Sequence, residues 1–169
     1  TFTANSSTTP GFWKHLKFET QTIDAAYDGS GNYSDGTTLQ YCNIEYSVEG
    51  IYVDNASIYI SNVNNTSSNN SGSAFFSTSS SKLVNSTFGN ISASTGSSSM
   101  TVTACTTGTF TSGTATITNS TLQSVSLGSG TSTIFNSTLT TFSGGGNIRK
   151  STLTSASLSG GPHDIQVCT

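Results

Sequence analysis

The whole acid–base inventory of this 169-residue chain is eight carboxylates, two histidines and five basic residues. The carboxylates are Glu19, Asp24, Asp28, Asp35, Glu45, Glu49, Asp54 and Asp164, so all but Asp164 precede residue 55. Cleaving a sugar chain needs two carboxylates across the scissile bond, or a carboxylate-held calcium beside a base. Glu45 and Glu49 come nearest to such a pair, and no basic residue accompanies them. The stretch Asp28-Gly-Ser-Gly-Asn-Tyr-Ser-Asp35 has the oxygen density of a calcium loop. Asp, Gly, Asn and Ser also make an ordinary tight turn, which is the simpler reading. His15 and His163 each stand without Cys or His at metal-ligand spacing. Serine is too abundant for any nucleophilic triad to stand out. The expectation is a protein with no catalytic residue, no metal and no cofactor.

Composition narrows the function classes further. Charged residues make up 8% of the chain and the net charge is −3. Nucleic-acid binding requires a basic surface to displace counterions, and none is present. No apolar run approaches the roughly 18–20 residues that span a bilayer, so membrane insertion is not expected. Disorder usually goes with high net charge and few aromatics, whereas nine Phe and six Tyr occur here. An ordered single domain over residues 1–169 follows.

The three cysteines, Cys42, Cys105 and Cys168, are too few for a disulfide framework. Cys105 sits at an apolar position and reads as a buried thiol, while a bridge between Cys42 and Cys168 stays open. Asn-X-Ser/Thr sequons start at Asn5, Asn32, Asn55, Asn64, Asn65, Asn69, Asn85, Asn90, Asn119 and Asn136. They are candidate glycosylation acceptors, although plain abundance of Asn, Ser and Thr also produces them. The chain opens on Thr1 rather than Met, which suits a removed export signal or an excised segment. The polar, nearly uncharged composition points to a secreted, extracellular or cell-surface setting.

What would position these residues is a repeat of about 17. SSKLVNSTFGNISASTG (80–96), SSSMTVTACTTGTFTSG (97–113) and TATITNSTLQSVSLGSG (114–130) stack, followed by shorter units at 131–145 and 146–161. The fourth position holds Leu83, Met100, Ile117 and Ile134, and the ninth holds Phe88, Cys105, Leu122 and Leu139. Further inward positions hold Ile91, Val125 and Phe142, then Phe110 and Leu127. Such a period marks a solenoid, whose units bury apolar side chains only by stacking. The spacing predicts an all-β, right-handed parallel β-helix of about eight coils, with neighbouring strands about 4.8 Å apart. The Asn-Ser-Thr triplets at Asn85, Asn119 and Asn136 fall where a corner is needed. Asn tolerates left-handed backbone angles there and its amide can bond from coil to coil, with Val102 and Lys150 interrupting the ladder. Upstream, residues 37–79 read as wider coils with a polar loop from Asn62 to Ser73. Residues 1–36 read as an irregular segment serving as a cap or donor strand.

The segment Trp13-Lys-His-Leu-Lys-Phe18, with Leu39-Gln-Tyr-Cys-Asn-Ile-Glu-Tyr46, Gly50-Ile51 and Asn55-Ala-Ser57, resembles the pectate-lyase-like right-handed parallel β-helix repeat proteins. The likeness covers roughly residues 11–63. It implies the fold and a secreted or surface setting. It does not imply an activity, because that family spans lyases, hydrolases, adhesins and scaffolds.

Three non-enzymatic expectations follow. A solenoid ends in open strand edges that need covering, and the last repeat stops about half way through a coil. Head-to-tail self-association into a filament is therefore expected. The N-terminal side chains Phe2, Phe12, Trp13, Leu16 and Phe18 of one molecule would complete the edge formed by Ile165, Val167 and Cys168 of the next. A surface adhesin or stalk, with surface glycans as partners, is the second expectation. The third is ice binding by the outward threonines Thr101, Thr103, Thr114, Thr116, Thr118, Thr131 and Thr133, an array broken by Lys82, Phe135, Arg149 and Lys150.

Overall fold

A computed structural model describes residues 1–2, 9, 11–67, 73–94, 99–128 and 130–166. Two flanking elements come first: β1 (Trp13–Phe18) and a small antiparallel hairpin of β2 (Ala26–Tyr27) and β3 (Tyr33–Asp35). Seven coils follow. They pair β4 (Thr38–Glu45) with β5 (Ser47–Asp54), β6 (Tyr59–Ser67) with β7 (Ser73–Ser77), and β8 (Lys82–Val84) with β9 (Thr87–Ala93). Next come β10 (Ser99–Thr103) with β11 (Thr106–Ser112), and β12 (Thr114–Thr118) with β13 (Thr121–Leu127). The last two coils share β14 (Thr133–Phe135), β15 (Thr138–Arg149) and β16 (Thr152–Gln166). Apart from the hairpin every strand pairs in parallel with the coil above or below, and the described residues contain no helix. None is therefore long and apolar enough to cross a membrane.

Each coil presents three faces. The first carries the inward rank Leu39, Ile60, Leu83, Val102, Ile117, Ile134, Ile148 and Ile165. The second carries Phe88, Thr107, Leu122, Leu139 and Leu153. The third carries Leu16, Ile51, Ala74, Ile91, Phe110, Val125, Phe142 and Ala156. Because side chains alternate across a strand, each inward residue is flanked by outward ones, and the outward ones are mostly Thr and Ser. The inward ranks merge into one core in which Leu83, Ile117, Ile134 and Leu139 have no exposed surface. Burying each such side chain contributes roughly 1.5–3 kcal/mol.

The period is less regular than 17. Successive hydrogen-bonded partners lie 21, 23 and 19 residues apart in the early coils, then 15, 17 and 14. The unit at 97–113 therefore sits two residues out of phase with a strict repeat. Val102, not Met100, stacks between Leu83 and Ile117, while Met100 stacks on Ala115. Likewise Thr107, not Cys105, takes the place between Phe88 and Leu122, and Phe110 joins Ile91 and Val125. All the residues assigned to the core are nonetheless buried. A slip of two leaves the inward/outward parity intact.

Two further expectations are corrected. The polar segment from Asn62 is strand as far as Ser67, and Val63 and Asn65 point into the core. Asn65 is tolerated there because its amide donates to the Ser73 carbonyl at 3.0 Å. Gly50 makes room for it, since a Cβ at Gly50 would lie 2.5 Å from the Asn65 amide nitrogen. The segment 1–36 is also not irregular throughout. β1 lies in parallel beside β5, with Leu16 on Ile51 and Phe18 on Val53.

Candidate functional site: the corners and the two ends

The corner between the first and second faces is built the same way in every coil. Tyr41, Asn62, Asn85, Ala104, Asn119, Asn136 and Lys150 occupy it, all with φ between 48° and 54°. That left-handed conformation costs an ordinary L-residue roughly 1–2 kcal/mol and Asn less, because its short amide bonds locally. Asn therefore holds four of the seven corners. The amide of Asn136 donates to the Asn119 side-chain oxygen at 2.7 Å, so the expected ladder exists there. It is Ala104, not Val102, that interrupts it together with Lys150.

The residue after each corner turns inward and makes a second ladder. Ser86, Ser120, Ser137 and Ser151 donate their hydroxyls to the carbonyl two residues back, at 2.8–2.9 Å. The same oxygens accept the backbone N–H of the preceding coil, from Val63, Cys105, Ser120 and Ser137, at 3.1–3.2 Å. Cys105 stands in this polar rank and its thiol donates to Thr103 at 3.3 Å. Burial pushes that thiol up to about 11. Composition offered no signal for the serine rank, because serine is common everywhere in the chain.

Several of the residues considered for chemistry make structural contacts. Asp28 accepts from the Ser30 and Asn32 backbones and the Asn32 amide, which holds its carboxyl below the usual range. Glu49 bonds His15 Nδ1 at 2.5 Å, and His15 stacks on Tyr52 with ring centres 5.2 Å apart. Glu45 gives its backbone carbonyl to the Trp13 indole at 2.9 Å. His163 lies on β16 opposite Gly146. Cys42 is half-buried and burial raises its thiol, whereas Cys168 lies outside the described residues. Among the sequons, Asn32, Asn55, Asn64, Asn85, Asn119 and Asn136 are exposed and Asn90 half-buried. Asn65 is fully buried and so is not an accessible acceptor in this fold. Asn5 and Asn69 lie outside the described residues.

The hairpin β2–β3 packs on the outside of the first face. Tyr33 stacks on Tyr59 at 5.1 Å and Tyr27 meets Tyr59 edge-on at 6.3 Å. Lys82 ties the hairpin down by donating to the Gly31 carbonyl at 2.6 Å, with its ammonium 5.3 Å from the Tyr27 ring. Burial raises the Tyr27 phenol to about 12.

Threonines form longer columns than the repeat implied. Thr87, Thr106, Thr121, Thr138 and Thr152 run along the second face in register. Thr101 and Thr103 lie beside Thr116 and Thr118 on the first, where Lys82, Phe135 and Arg149 bound them. Gly89 and Gly108 leave a shallow groove of about 560 Å³ beside the second-face column. A Cβ at Gly108 would lie 2.5 Å from the Gly89 carbonyl.

Among the described residues the large exposed apolar side chains are Phe2, Phe12, Ile23, Tyr41, Phe135, Leu158 and Ile165; Phe2 and Phe12 lie at the N-terminal layer and Leu158 and Ile165 on the last strand, while Tyr41 and Phe135 face outward from the flank. At the N-terminal end Phe2 bridges in parallel to Ile44, and the strand order stops at β1 on the third face and β4 on the first. Thr1, Phe2, Trp13 and Leu16 line a hollow of about 250 Å³ there. At the C-terminal end β16 has β15 on one side and no strand on the other among the described residues. The described parts of the N-terminal segment, Phe2 and residues 11–18, are docked on their own first coil. Ile165 is exposed as expected, and Val167 and Cys168 lie outside the described residues.

No protein-family model, curated protein or solved structure matches the chain.

Proposed function

We propose that this protein is a non-enzymatic structural element, a stiff β-solenoid that stacks along its axis into a filament or surface fibre. The carrying observation is the placement of exposed apolar side chains among the described residues: Phe2 and Phe12 lie at the N-terminal layer, Leu158 and Ile165 lie on the last strand, and the outside of the later coils between them is mostly threonine and serine. Isolated exposed apolar residues are ordinary on any surface, but clusters at unpaired strand edges mark places where other chains add. The polar, weakly charged flanks suit a secreted or cell-surface setting, and the resemblance to pectate-lyase-like β-helix proteins supports that setting. The exposed sequons would carry glycans on the flanks without obstructing the ends.

The test is association measured by sedimentation velocity and negative-stain imaging across a concentration series. Rods longer than one molecule are expected at high concentration. Leu158→Lys combined with Ile165→Lys should abolish them while leaving the circular dichroism spectrum unchanged, since both side chains are already exposed. Monodisperse monomers from the unaltered chain at every concentration would defeat the proposal.

The five-coil threonine column supports a second reading, in which the second face binds ice. Thermal hysteresis at millimolar protein is its measurement, and zero hysteresis removes it.

A further inference from the structure

Resting on the axial stacking just proposed, the geometry points to a specific contact: the stepped C-terminal end of one copy and the stepped N-terminal end of a second copy form one composite coil. Along the chain the faces recur in the order first, second, third. The last strand segment described, 163–166, lies on the first face, and among the described residues it has no companion on the other two in its layer. At the opposite end the outermost layer has the reverse shape. Phe2 supplies its second face beside Ile44 and β1 supplies its third face beside β5, while among the described residues no strand lies beneath β4 on the first. In the described residues each end presents the faces that the other leaves open, and the order of faces continues from one copy into the next.

The side chains match as well as the backbone. The third-face inward rank opens on Leu16, half-buried, and closes on Ala156, exposed although its rank is buried in the coils below. Leu158, 44% exposed, closes the end that Phe18 would meet. The hollow walled by Phe2, Trp13 and Leu16 is the open mouth of the core, of a size to take these apolar ends. Charge selects the orientation. β1 carries Lys14 and Lys17, whereas β16 contains no lysine or arginine and one carboxylate, Asp164. Two β1 edges would bring four lysines together, an arrangement that opposes pairing, while β1 against β16 has no such conflict.

The outward rank of the same face opens on Lys17 and closes on Ser157. In the composite coil these two become neighbours across strands about 4.8 Å apart, within the reach of a disulfide. Lys17→Cys and Ser157→Cys, both at exposed positions, are therefore made in separate chains that also carry Cys42→Ser and Cys168→Ser. Under mild oxidation a mixture of the two should give a covalent dimer, and each variant alone should stay monomeric on non-reducing gels. Trp13 emission should shift to the blue in the dimer as its pocket closes. Rods still present by imaging, with no more covalent dimer in the mixture than in either variant alone, would overturn the head-to-tail contact and leave axial stacking standing. Loss of all association would remove both.

Discussion

The first two coils and the last five solve the same packing problem with different means. Up to about residue 84 the outside is aromatic and charged: the Tyr27–Tyr33–Tyr59 cluster, His15 stacked on Tyr52, and Lys82 holding the hairpin. The backbone there bends through extra left-handed residues, Tyr46, Asn55 and Thr78, beyond the shared corner. From β10 onward the outside is mostly Thr and Ser, the coils shorten to 14–17 residues, and inward serines with outward asparagines join coil to coil. Apolar inward ranks such as Leu39 to Ile165 run through both parts, while the inward position after the corner changes from Cys42 and Val63 to serine. A solenoid is thus constrained by what each coil hands to the next, and its outer surface is free to differ.

The largest test of this division is truncation in the shared core. Leu122→Ala, in the fully buried second-face rank, should cost roughly 3–5 kcal/mol in chemical denaturation. Leu16→Ala, half-buried at the N-terminal end, should cost only about 1–2 kcal/mol. Equal losses would mean that the end layer is as tightly packed as the middle.

Alkaline titration separates the halves by their buried acids. Cys105 is raised from 9.0 to about 11 and Tyr27 from 10.0 to about 12, both by burial of a group that must stay neutral. A group with a raised folded pKa contributes stability that is full below its unfolded value and lost as pH rises through the folded one. Stability should hold to about pH 9 and fall between 9 and 12, by on the order of 2 kcal/mol for Cys105 and by less for the half-exposed Tyr27, whose charge solvent screens. Cys105→Ser should remove the part beginning near 9 and Tyr27→Phe the part beginning near 10. An unaltered fall in both variants would place the alkaline weakness elsewhere.

The corners give smaller effects of opposite sign. Asn119→Ala should destabilise by about 1 kcal/mol, because Ala is strained at φ 52° and the bond to Asn136 is lost. Ala104→Asn should raise the melting temperature through a gain below about 1 kcal/mol. Smallest of all, Cys105→Ser should change stability at neutral pH by no more than about 0.5 kcal/mol, since four serines already fill its rank. A large loss would show that the thiol does something serine cannot.

What the sequence determined by itself was the solenoid and the side of the strand on which nearly every large residue lies. The physical reason is the two-residue period of a strand: Met100, Cys105 and Phe110 were assigned to neighbouring ranks and yet all proved buried, because the slip was an even number. Corners were legible through Asn, the residue that accepts left-handed angles most cheaply. Exact stacking partners were decided only by the tertiary structure, since loops of different length absorb the phase between coils. Tertiary structure also placed Asn65 in the core, where only the Ser73 carbonyl and the missing side chain of Gly50 make a buried amide tolerable. The serine ladder and the face on which each end stops were likewise invisible in one dimension. A serine's role depends on which coil lies above it, and the shape of an end depends on which face the chain has reached.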